Sequence, residues 1–265
     1  FLREVAIRTA RMIAGWQTVG FQHGVMNTDN MSILGLTLDY GPFGFMEAYD
    51  PDWICNHSDY GGRYRFSAQP GIALWNLQAL AVALEPLVHE ADAAQALACY
   101  EPELQTAYLD ICRRKLGLTQ WPGDGYRLLS ELFELMQRSR ADYTIVFRKL
   151  SEVANSLSQA DERWLALFGE DSSAQRWLES YRSVVSNQPL DERERRISMK
   201  AVNPKFILRN HLAQVAIERA QARDFSETDR LLAILQHPYD EQLENEAYAD
   251  IPPDWAKEIV LSCSS

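Results

Sequence analysis

The sequence predicts a mainly α-helical chain with one small β-hairpin near its start, and three observations carry that expectation. Apolar residues recur at helical spacing through residues 1–22, at Leu2, Val5, Met12, Ile13 and Trp16. Strand-like alternation is nearly confined to Met31–Asp39, with Gly35 placed to turn it. From Pro70 to about residue 236 the chain reads as helices joined by short turns.

Taken in order, the first helix leads into a polar loop at His23, which delivers Asp29 and Asn30; the hairpin follows and ends at Asp39 in Asp-Tyr-Gly. Residues 40–69 are rich in Gly, Pro, Asp and aromatic groups, and an ordered loop of that length inside a domain is usually functional. Ile72 to Leu84 is apolar almost all round, interrupted by Asn76 and Gln78, which predicts a helix buried on every side. Trp121-Pro-Gly-Asp-Gly predicts a turn, and the mixed charges of 191–196 a solvated face. Asn203-Pro204 predicts a helix start, with the helix running to about Ala222. The expected organisation is therefore a site-bearing segment 1–69, a helical body 70–250 and a tail 251–265. The chain opens inside a helical pattern without Met, which predicts a fragment whose N-terminal part lies elsewhere.

Composition bounds the function. With 265 residues and 46% apolar content the chain can bury a full core. A net charge of -11 argues against nucleic acid and against anionic membrane surfaces. No apolar run reaches the roughly 18 residues needed to span a bilayer. Cys55, Cys99, Cys112 and Cys263 show no zinc-ligand spacing, so a reducing, cytoplasmic setting is expected, with Cys99 and Cys112 buried in helices.

The stretch from His23 to Gly41 carries the chemistry. An Asn closing a polar loop, a short apolar hairpin and then an Asp is the order in which kinase-like folds hold Mg²⁺ against nucleotide phosphates. Asn30 and Asp39 supply the oxygen donors that a hard cation takes. The position of the kinase base, third in H-R-D-x-x-x-x-N, holds Val25. Either the site is silent or Asp29 carries the base role from a shifted position. His23 reads as a support for the loop, His57 as a group that could approach substrate, and His211 and His237 as structural or surface residues.

The run from Phe21 through Phe45 resembles the selenoprotein O family, and further matches lie in Ile54-Cys-Asn-His-Ser-Asp, Gln69-Pro-Gly-Ile-Ala-Leu-Trp-Asn-Leu, Asn203-Pro-Lys-Phe-Ile-Leu-Arg-Asn and Pro252-Pro-Asp-Trp-Ala to Ser262-Cys-Ser-Ser. The resemblance implies the C-terminal lobe of a protein-kinase-like fold, with the nucleotide-cradling N-terminal lobe absent. It implies transfer of AMP from ATP to Ser, Thr or Tyr hydroxyls of proteins, with Asp29 as base, Asn30 and Asp39 holding Mg²⁺ (or Mn²⁺), and Asp39 close to the nucleotide. Selenocysteine near the C-terminus of some members suggests redox chemistry there, and Cys55 with Cys263 is the expected redox pair. A kinase-like phosphotransferase and a silent scaffold that binds partners through the aromatic loop stand as the alternatives.

Overall fold

Leu2–Val19 forms the first helix, α1, because its apolar groups fall on one stripe: Leu2, Val5, Ala6, Ala10, Ile13 and Ala14 are all buried. Gly20 stops it in a left-handed conformation, φ 71°, its N–H donated to the Trp16 carbonyl. In the computed structural model, which describes residues 1–123, 125–154 and 158–262, α1 is followed by ten further α-helices among the described residues. No helix there is long and apolar enough to cross a membrane.

The chain divides into two compact units. The first holds residues 1–44, 51–111 and 260–262. Here α1 packs on α2 (Gln69–Ala83) and α3 (Glu90–Leu97), and those two helices also pack on each other. Alanines 6, 10 and 14 keep the contact face of α1 small. The helix α4 (Tyr100–Lys115) starts in this unit, where Arg11 of α1 pairs with Glu103 at 2.6 Å and the Tyr100 hydroxyl donates to the Pro70 carbonyl. α2 departs from expectation. Gln69, Ala73, Asn76 and Leu77 are buried, but Trp75 and Val82 are 47% and 63% exposed. Its all-round apolar composition finds helix partners on part of its circumference only.

The hairpin expected over Met31–Asp39 is also corrected. The turn forms, with Gly35 N–H donating to the Ser32 carbonyl, but no strands flank it. Its polar groups go elsewhere: Thr37 Oγ1 accepts from Trp16 Nε1 at 2.8 Å, and the Leu38 carbonyl faces His23 Nε2 at 2.8 Å. The only two-stranded sheet among the described residues joins Phe21–Gln22 (β1) to Gly44–Phe45 (β2).

The second unit holds residues 45–50 and 112–259. Its helices are α5 (Gly125–Ser139), α6 (Tyr143–Leu150), α7 (Gln159–Leu165), α8 (Ser173–Val185), α9 (Glu192–Lys200), α10 (Asn210–Gln221) and α11 (Ser226–Leu235). The 45–50 segment is stitched in through an Ala48–Asp142 bridge and a 2.7 Å bond from Tyr143 N–H to the Glu47 carbonyl. Tyr49, Phe133, Tyr143 and Phe147 form one ring cluster; Trp164, Phe168, Trp177 and Tyr181 form a second. Lys115 lies wholly buried with its ammonium 4.1 Å from the Phe147 ring centroid, and burial pushes it down to about 7.

The helix start expected at Asn203-Pro204 is displaced to Asn210. Asn203 is fully buried and its amide donates to the Lys115 carbonyl, while Lys205 and Phe206 N–H both donate to the Pro238 carbonyl. These groups are committed to tertiary bonds and cannot open a helix.

Candidate active site

The loop that carries the expected site is built from bonds between its backbone and distant side chains. His23 N–H donates to Gln69 Oε1, and Gln69 Nε2 donates back to the Phe21 carbonyl. Asn76 Nδ2 donates to the Met26 carbonyl and Asn56 Nδ2 to the Gly24 carbonyl. Gln22 joins the loop to the segment after it, accepting from Cys55 N–H and donating to the Tyr64 carbonyl. The Tyr64 hydroxyl closes the set on Asn27 Oδ1 at 2.6 Å. Gly24 is required where it stands: its φ is +82°, and a Cβ there would sit 2.5 Å from the Pro42 carbonyl oxygen and 2.9 Å from Cys55 Sγ.

Asp29 and Asn30 lie in a single 3-10 turn, Thr28–Asn30. Asn30 is half-buried and its Nδ2 donates to the Val25 carbonyl at 3.0 Å, which leaves Oδ1 as the free end of the amide. Asp29 is exposed, and its carboxylate takes no hydrogen bond or ion pair among the described residues. The same holds for the exposed Asp39, whose backbone occupies the left-handed region at φ 56°. A non-glycine residue held there is uncommon, and such strain collects at functional positions.

His23 brings the two halves of the site together. Nε2 contacts the carbonyl of Leu38, the residue before Asp39, while Nδ1 accepts weakly from Val25 N–H at 3.4 Å. The expected supporting role of His23 is what this geometry shows. Its ring also sits 5.4 Å from that of Trp16, in a group with Phe21, Tyr40 and Phe43. Beside the turn, Val5, Thr9, Thr28, Met31, Asn76 and Leu77 line part of a cavity of about 280 Å³, and the buried Asn76 Oδ1 has no hydrogen-bond partner among the described residues.

No group of three or more His, Cys, Asp or Glu side chains able to hold a metal occurs among the described residues. A cation here would depend on the Asn30 amide oxygen with Asp39, a donor set suited to a hard ion rather than to zinc.

The cysteines differ from one another. Cys55 is buried, donates to the Pro42 carbonyl at 2.9 Å, and burial pushes its thiol up to about 12. Cys263 lies outside the described residues. The tail before it is fixed, however, since His57 N–H and Nδ1 both reach the Leu261 carbonyl, at 2.8 and 2.9 Å. Cys112 is buried as expected, but Cys99 is half-exposed in the turn between α3 and α4. His211 is mostly buried against Trp255 and His237 is exposed, in keeping with structural and surface roles.

Gln22, Asn56, Gln69 and Asn76 were not legible as loop-holding residues. Only Asn76 left a signal, as a polar break in an apolar helix.

The family model described as "Protein adenylyltransferase SelO" matches residues 1–236, and the chain is a member of that family. Among curated relatives, the protein nucleotidyltransferase YdiU of Herminiimonas arsenicoxydans is 51% identical over 266 residues, covering 100% of this chain and 53% of its own length. The YdiU protein of Vibrio vulnificus strain CMCP6 is 52% identical over 270 residues, covering 99% and 54%. That of Cupriavidus pinatubonensis is 48% identical over 280 residues, covering 100% and 54%. The chain spans about half the length of the curated relatives it matches.

Proposed function

We propose that this chain is the catalytic-loop half of a protein adenylyltransferase, with the C-terminal lobe of a protein-kinase-like fold, that moves AMP from ATP to Ser, Thr or Tyr hydroxyls of proteins. The observation that carries the reading is the set of open oxygen donors: the carboxylates of Asp29 and Asp39, without hydrogen bond or ion pair among the described residues, and the amide oxygen of Asn30. Family membership supports nucleotidyl transfer as the class of reaction.

Asn30 Oδ1 and the Asp39 carboxylate are the residues that would hold Mg²⁺, and Mn²⁺ takes the same donors. When bound, the ion supplies positive charge against the phosphates. Asp29 acts as general base on the acceptor hydroxyl. Its carboxylate takes the hydroxyl proton as the oxygen bonds to the α-phosphorus; the bond to the bridging oxygen breaks, and pyrophosphate leaves with that electron pair. Val25 has no group that could do this, which is why the role falls to the carboxylate one residue before Asn30.

The test uses the full-length protein and ATP labelled at the α or the γ position. Label from the α position on protein is the expected result. Label from γ would make the protein a phosphotransferase, and no label from either would make it a scaffold.

A further inference from the structure

The loop between the candidate site and α2 holds one Arg that no carboxylate among the described residues neutralises. Asp59 spends both oxygens on backbone, accepting from Arg63 N–H at 2.9 Å and Tyr64 N–H at 2.7 Å. Asp52 is paired with Arg65 at 3.2 Å. Arg63 is exposed and has no ion pair among the described residues. Its guanidinium is nevertheless placed, 4.9 Å from the ring centroid of Trp75 and 5.7 Å from that of Tyr64. Stacking on ring faces fixes the plane of the guanidinium and leaves its N–H edge open, the presentation that suits a carboxylate.

The position is as informative as the charge. Tyr64, under Arg63, donates its hydroxyl to Asn27, two residues before Asp29, so Arg63 stands one tyrosine ring away from the loop of the proposed base. A chain of net charge -11 repels acidic segments in general. A single rigid, uncompensated cation beside the site offsets that repulsion locally.

We propose that Arg63, braced by Trp75, binds an Asp or Glu side chain of the protein acceptor close in sequence to the hydroxyl that is modified. The inference rests on the reading of the chain as part of a protein adenylyltransferase and adds a substrate preference to it.

The experiment uses the full-length protein and fluorescent peptides that differ only in carrying Asp, Asn or Lys next to a serine acceptor. Binding is read by anisotropy and transfer by α-labelled ATP. Arg63→Gln should weaken the Asp peptide about five- to tenfold, an exposed but pre-organised ion pair, while leaving the Asn peptide, the KM for ATP and the melting temperature unchanged. Arg63→Glu should turn the preference toward the Lys peptide, and Trp75→Leu should reproduce part of the Arg63→Gln loss. Equal binding of the Asp and Asn peptides by the unaltered protein would overturn the proposal. So would an Arg63→Gln effect confined to the KM for ATP, which would assign the cation to a nucleotide phosphate. Anisotropy does not need turnover, so Arg63-dependent peptide binding without AMP transfer would overturn the reaction and keep the surface, whereas transfer indifferent to flanking charge would do the reverse.

Discussion

Asp29 and Asp39 are both exposed carboxylates, yet their proposed roles separate experimentally. Asp39→Ala in the full-length protein should abolish metal-dependent nucleotide binding together with activity, because it deletes a ligand. Asp29→Ala should lower kcat by about 10²–10⁴-fold, the range for a general base, with nucleotide affinity nearly unchanged. Calorimetry and single-turnover transfer on the two variants check this, and full activity of Asp29→Ala would remove the base assignment. Lys115 gives a second single-residue test. Burial lowers it from 10.5 to about 7, so the folded protein releases a proton that the unfolded chain keeps. The unfolded state therefore binds more protons between about pH 7 and 10.5, and this group's contribution to stability rises with pH across that window. Lys115→Met should flatten that slope and raise stability at neutral pH by about 2 kcal/mol, comparable with other replacements of buried charge by apolar groups. Urea melts of both proteins from pH 6 to 10 read the difference.

At the scale of elements, the proposed catalytic loop is set by one backbone conformation that only glycine adopts easily. Gly24→Ala should cost about 3 kcal/mol, since a Cβ would meet the Pro42 carbonyl oxygen at 2.5 Å. A midpoint shift in urea unfolding measures it, and an unchanged midpoint would show that the loop relaxes freely. What the sequence made legible here was the order of Asp29, Asn30 and Asp39, because their chemistry depends on short-range spacing. The groups that hold them were hidden: Gln69 lies 46 residues from His23 and Asn76 50 residues from Met26. Alternation over Met31–Asp39 misled for a related reason. Period-two patterning describes a face, but a strand also needs a ladder partner, and the polar groups at Thr37 and Leu38 are taken by Trp16 and His23. Asn203-Pro204 carries the residues of a helix start, and buried tertiary bonds claimed them first.

Across the whole molecule, exposed apolar groups are scattered along the chain, and one run of them lies in the segment that surrounds Asp39. Ile33, Leu34, Leu36 and Tyr40 are all exposed in a chain about half as long as its relatives. Residues 1–265 on their own should bind ATP weakly, since residues 1–22 hold no Gly-rich loop and no Lys to clamp the phosphates at the proposed site. Tight, Mg²⁺-dependent binding by residues 1–265 in calorimetry would contradict this. The tail supplies a second whole-molecule test. Leu261 is bonded to His57, two residues from Cys55, so the segment leading to Cys263 is anchored beside the other proposed partner. Peptide maps of oxidised full-length protein should show a Cys55–Cys263 link, formed slowly because the buried Cys55 thiol yields little thiolate. Oxidised protein without that link would end the pairing.

The amides around the His23–Asn30 loop have a consequence for how the protein responds to its medium. Gln22, Asn56, Gln69 and Asn76 carry no charge at any pH, and their bonds run to backbone or from it. Ionic strength does not screen such contacts and protonation does not remove them. These four amides are indifferent to both. A loss of activity in high salt therefore reports ligand and partner contacts such as those at Arg63 rather than collapse of the amides that hold the loop.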